Sequence, residues 1–142
     1  MDKDYKKAES YFNLALEFDL DTKLEYVQDM IESLGYSLIN DKRYEESTKL
    51  LSVYNEFNKS ADFVFLIGLV YMNNGMFTEA IEEFKKATTF SDSKMEGVND
   101  YLANYNIGII LECLGNTQDA ISFYRKCKGY KVAEKRINNL LA

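Results

Sequence analysis

Two carboxylates flank one residue at Asp19-Leu20-Asp21, the spacing of a metal–nucleotide motif. That chemistry needs a strand-rich nucleotide-binding fold around the pair. Here the triplet leads into Thr22, a helix-starting residue, so it reads as a loop and capping element. Adjacent carboxylates recur at Glu45-Glu46 and Glu82-Glu83. General acid–base work by such a pair requires environments that drive the two groups apart, and these pairs fall where exposed helix faces are expected. The 142 residues hold no histidine, which removes the commonest general base and metal ligand. No glycine-rich phosphate loop, GxSxG or HExxH occurs. Cys113 and Cys127 lack CxxC spacing, and both read as small buried hydrophobes of a reduced, cytoplasmic setting. We expect no catalytic residue, no metal and no cofactor.

The elements around these residues are helices. Proline is absent, and the seven glycines fall at regular places. Leu24, Val27, Ile31, Leu34 and Leu38 step by three and four, which lays an apolar stripe along one helix face. Val64, Ile67, Gly68, Tyr71 and Ile107, Gly108, Leu111, Leu114 repeat it. Thr22 with Glu25 and Ser93 with Glu96 have the spacing of capping boxes, and Ser60 and Thr117 of simple caps. Hydrophobic residues at 46% and charged residues at 28% are ordinary for a globular chain. No apolar run approaches the roughly 18 residues that cross a bilayer.

Aligning Gly35, Gly68 and Gly108 brings out an internal repeat. Three residues on stand Leu38, Tyr71 and Leu111. Seven on, Gly75 and Gly115 mark turns, and Asn40-Asp41 turns the first copy. Twelve on come Ser47, Ala80 and Ala120, followed after four by Leu51, Phe84 and Tyr124, and after three more by Tyr54, Ala87 and Cys127. Glycine inside a helix costs about 1 kcal/mol against alanine, so its return at matched points implies close helix packing. The large residue four beyond the small one is expected to fill the gap between helix pairs.

These residues resemble the tetratricopeptide repeat signature, most clearly from Leu66-Ile67-Gly68-Leu69-Val70-Tyr71 through Ala80, Phe84 and Ala87. The departures are Ser47 in place of alanine, no closing proline, and glycine spacings of 33 and 40. The resemblance implies an all-α, right-handed α-solenoid of antiparallel helix pairs in one domain, 1–142. Its repeats are expected at 22–58, 60–91 and 94–128. Ala8, Phe12 and Ala15 mark a leading half-repeat helix over 3–18, and Ala133, Ile137 and Leu140 a capping helix over 130–141. A lone half-repeat lacks a neighbour on one side. It therefore predicts a longer parent chain or a docking partner there.

In such a stack the first helices line a concave groove. Tyr36 and Ile39, then Phe65, Leu69 and Met72, then Tyr105 and Ile109 would form an apolar strip along it. Asp62, Asn73, Asn106 and Glu112 stand beside that strip, as do Asp29 and Glu32. Exposed apolar strips mark interaction sites; burial of the strip by a neighbouring or capping helix is the competing expectation. The positions that clamp a terminal carboxylate in chaperone-binding members hold Glu32, Tyr36, Leu66, Leu102 and Asn106, and only the asparagine fits.

The resemblance therefore implies a non-catalytic module that binds a protein or an apolar or amphipathic peptide. A net charge of −6 argues against nucleic acid, and no membrane contact is expected. The basic end (Arg125, Lys126, Lys128, Lys131, Lys135 and Arg136, against Glu134) reads as a solvated surface, with an acidic partner as the alternative. A further likeness of residues 96–108 and 124–136 is to the repeat region after the catalytic domain of bacterial, notably clostridial, family 2 glycosyltransferases. It implies an accessory role in acceptor docking or in homodimer formation.

Overall fold

The computed structural model describes residues 25–142. The expected helix over 3–18, Asp19-Leu20-Asp21 and the cap at Thr22 lie outside the described residues. The chain divides into two compact units, Met1–Lys59 and Ser60–Ala142. Every regular element among the described residues is a helix.

In the first unit, α1 spans Glu25–Asn40 and buries Val27, Ile31, Leu34 and Leu38 of the stripe read from the sequence, together with Gly35, while Leu24 lies outside the described residues. Its partner segment is broken into Tyr44–Ser47 (α2), a 3-10 stretch Thr48–Val53, and Tyr54–Phe57 (α3). The hydroxyls supply a physical cause. Ser47 Oγ donates to Tyr44 O at 2.5 Å, Thr48 Oγ1 to Glu45 O at 2.6 Å and Ser52 Oγ to Lys49 O at 2.7 Å. Such bonds three residues back compete with the α-helical pattern and tighten the coil. Ser47 fills the small-residue place fully buried, with its hydroxyl satisfied by that local carbonyl. Gln28 Nε2 joins α1 to α3, donating to Phe57 O at 2.9 Å and to the buried Glu32 at 2.7 Å.

The turn after α1 shows one local cost. Lys42 has φ 60, while Gly75 and Gly115 at the matched places have φ 77 and 84. All three turns close alike. Arg43 N, Met76 N and Asn116 N reach back to the carbonyls of Leu38, Tyr71 and Leu111 at 2.8, 2.9 and 2.8 Å. A non-glycine residue in the left-handed region costs roughly 1–2 kcal/mol, and glycine gives back part of that through its looser unfolded chain. Lys42→Gly is expected to stabilise the first unit by up to about 1 kcal/mol. Urea unfolding followed by far-UV circular dichroism measures it, and a loss of stability would contradict the turn assignment.

The second unit holds Ala61–Asn73 (α4), Phe77–Ala87 (α5), Tyr101–Cys113 (α6), Thr117–Arg125 (α7) and Lys131–Leu141 (α8). Ser60 caps α4, its hydroxyl accepting from Phe63 N at 3.1 Å. Thr117 is the first helical residue of α7 rather than its cap. Helix α4 is apolar on all sides, and Ala61 through Gly68 are all buried.

The recurring small residues do what their spacing requires. A Cβ on Gly68 would sit 2.6 Å from the Phe84 ring, and one on Gly108 2.5 Å from the Tyr124 ring. Ala80 and Ala120 are fully buried. The large ring therefore lies on the glycine of its own helix pair, not only in the gap between pairs as expected.

Residues 91–100 carry the extra length of the third copy, all of it as loop; α6 starts at Tyr101. The expected capping box at Ser93 starts no helix. Gly97 at φ 86 leaves helical space, and Ser93 Oγ donates to Met95 O at 2.7 Å. The loop is pinned from below. Both carboxylate oxygens of Asp62 accept backbone amides, from Lys94 and from Met95, each at 2.9 Å. Val98 of the loop itself is fully buried.

The cysteines differ. Cys127 is buried, with Sγ 3.2 Å from Tyr101 O, and burial, then nearby Asp100, pushes its thiol up to about 11. Cys113 is exposed, contrary to the sequence expectation.

Candidate partner-binding groove

The residues assigned to the strip have different surroundings. Phe65 is 5% exposed and packs on Phe84, ring centroids 5.3 Å apart. It belongs to the core, contrary to its place in the expected exposed strip. Leu69 and Met72 follow it by one and two turns on the same helix face and are half-buried, with Asn73 exposed beyond them. Asn73 Nδ2 donates to Leu69 O at 2.8 Å, which fixes its amide at the end of α4.

Asp62 heads the same face but is 2% exposed, and its carboxylate is occupied by the loop amides. Its place in the structure is as the anchor of residues 91–100.

On α6, Tyr105, Ile109 and Glu112 are the counterparts of Phe65, Leu69 and Met72. They are drawn toward the C-terminal segment. Tyr105 packs on Tyr124 at 5.7 Å and edge-on to Tyr130 at 5.3 Å. With Ile109, Ile137 and Leu140 it surrounds the buried cluster Ala120, Tyr124, Cys127 and Ala133. Glu112 is bound on two sides. Oε1 accepts from the Tyr124 hydroxyl at 2.9 Å and from Arg136 Nε at 3.1 Å, and Arg136 pairs with the second oxygen. Burial, with Tyr105 close by, pushes the Tyr124 phenol well above its ordinary range, so it remains the proton donor in that bond. Sequence reasoning placed Glu112 beside the groove and Arg136 in a solvated basic end. The 24-residue separation gave no signal that they pair.

Asn106 remains half-buried on α6. Tyr36 and Ile39, half-buried on α1, belong to the first unit. Leu66, at one of the carboxylate-clamp places, is fully buried, and Glu32 is engaged by Gln28. Neither is set to receive a carboxylate.

Among the described residues no group of three acidic, cysteine or histidine side chains is arranged to hold a metal, and no helix is long and apolar enough to cross a membrane.

Two paired helices with a glycine under a large ring, twice over, are the arrangement that the sequence resemblance implied. Residues 61–93 and 101–131 match the sequence model of the tetratricopeptide repeat family. The chain is a tetratricopeptide repeat protein. No curated protein matches it. The two matched tetratricopeptide repeats hold α4–α5 and α6–α7, and residues 94–100 of the loop fall between the two matches. Tetratricopeptide repeats generally mediate protein–protein interaction and are typically non-catalytic.

Proposed function

We propose that the protein binds an apolar or amphipathic segment of a partner along the first-helix face of its repeats, at Leu69, Met72, Asn73 and Asn106. The observation that carries this reading is Leu69 with Met72. They are half-buried apolar residues one and two turns beyond the packed Phe65, with the Asn73 side-chain amide next to them able to bond a partner backbone. Rigid apolar anchors bounded by polar groups are what helix-in-groove recognition uses. Tyr105 and Ile109 contribute through the wall they build with Tyr130 and α8.

The test uses Leu69→Asp and Met72→Asp, since both side chains reach solvent and Phe65 does not. Proteins captured from lysate by the wild-type chain are compared with those captured by each variant, after circular dichroism shows the helices retained. Loss of a specific partner is expected in both, by about 2 kcal/mol or more where the residue is an anchor. That partner should persist when salt is raised, because the contact is apolar. Unchanged capture by both variants would end this reading.

A further inference from the structure

The surface of the second helices carries an arrangement that the groove does not use. Lys85 of α5 and Lys126 just past α7 both lie over the ring of Phe123, their ammonium nitrogens 5.7 and 4.2 Å from its centroid. The ring is half-buried and gathers two like charges from different repeats at one place. Arg125 and Lys128 flank Lys126 and are exposed, as are Lys131 and Lys135 on α8. Among the described residues none of these six cations stands in an ion pair. Glu82 and Glu83 on α5 and Asp119 on α7, the acids nearest along those helices, pair with neither lysine. A chain of net charge −6 has carboxylates to spare, yet leaves this cluster uncompensated.

We propose that this patch, centred on Lys85, Phe123 and Lys126, docks a short carboxylate-rich segment of a partner protein. Carboxylates beside the two ammonium groups would relieve their mutual repulsion, and the Phe123 ring edge offers apolar contact to a neighbouring side chain. Charge complementarity favours a short acidic peptide over nucleic acid. A polyanion continues past the patch and meets a chain that is otherwise strongly acidic, whereas a few carboxylates end where the lysines end. The cluster is also lysine-rich, lacking the planar forks that best grip phosphate.

The test is fluorescence anisotropy of the whole chain with three probes. These are a labelled peptide alternating glutamate and leucine, a single-stranded oligonucleotide of matched charge, and vesicles containing phosphatidylserine. The peptide is expected to bind at low salt and to weaken about tenfold in Lys85→Glu with Lys126→Glu, each lost pair being a surface one. Lys85→Gln with Lys126→Gln should give a smaller loss in the same direction. The charge-matched control Lys42→Glu with Lys59→Glu should bind as wild type. Binding should fall as ionic strength rises. Equal losses in patch and control variants, an unchanged patch variant, or preference for the oligonucleotide or the vesicles would each overturn the proposal. Leu69→Asp should leave peptide binding intact, which keeps this test separate from that of the groove.

Discussion

Phe84→Ala is expected to destabilise the protein by about 3–5 kcal/mol and to reverse the effect of a second substitution, Gly68→Ala. Phe84 is fully buried, and its ring fills the space where a Gly68 side chain would stand, with 2.6 Å to the hypothetical Cβ. That distance is far inside van der Waals contact. With Phe84 present, Gly68→Ala forces the ring or the helix to move, an overpacking cost of about 1–3 kcal/mol. It also removes a helical glycine, worth about 1 kcal/mol in the other direction. The single change should therefore be destabilising or at best neutral. Once the ring is gone, the overpacking vanishes and the helix-propensity gain remains, so Gly68→Ala should stabilise the Phe84→Ala background. A double-mutant cycle by urea unfolding gives the coupling directly. Additive effects would mean that the ring does not rest on Gly68.

The second large effect falls on Asp62. It was a groove candidate in the sequence, and in the structure its two oxygens hold the amides of Lys94 and Met95 in a buried setting. Asp62→Ala leaves both amides without that acceptor. Hydrogen bonds to a charged group are worth about 1.5–3 kcal/mol each, so a loss of about 3 kcal/mol is expected, with loop 91–100 released. Hydrogen exchange at Lys94 and Met95 should rise well before exchange in α5 or α7 does. If those two amides exchange no faster in the variant, Asp62 does not hold the loop. Asp62→Asn retains one acceptor and places a donor where the other stood, and it should fall between wild type and alanine.

The repeat was legible because its determinants are local and few. Gly68, Ala80 and Phe84 occupy fixed offsets, and each does one physical thing that only its size permits. The all-helical class followed from stripes spaced by three and four, and the turns at Gly75 and Gly115 from residues that adopt positive φ freely. What was hidden depends on distant pairs. Nothing in Asp62 alone says that amides 32 and 33 residues away will take both its oxygens. Nor does Glu112 announce Arg136. The broken partner segment of α1 lay in plain view as Ser47, Thr48 and Ser52. The outcome turned on whether their hydroxyls faced solvent or their own backbone, which packing decides. The strip was read as continuous because matched positions were given matched roles. In the structure Tyr105 packs on the rings of Tyr124 and Tyr130, while Leu69 remains half-open.

The carboxylate of Glu112 binds a phenol from α7 and a guanidinium from α8, so three helices meet at one anion. Any other helix packed in the place of α8 would have to bring a cation to that spot, or else give up the acid with it. Residue 112 thus couples the seating of α8 to that of α7, and neither can shift without the other feeling it.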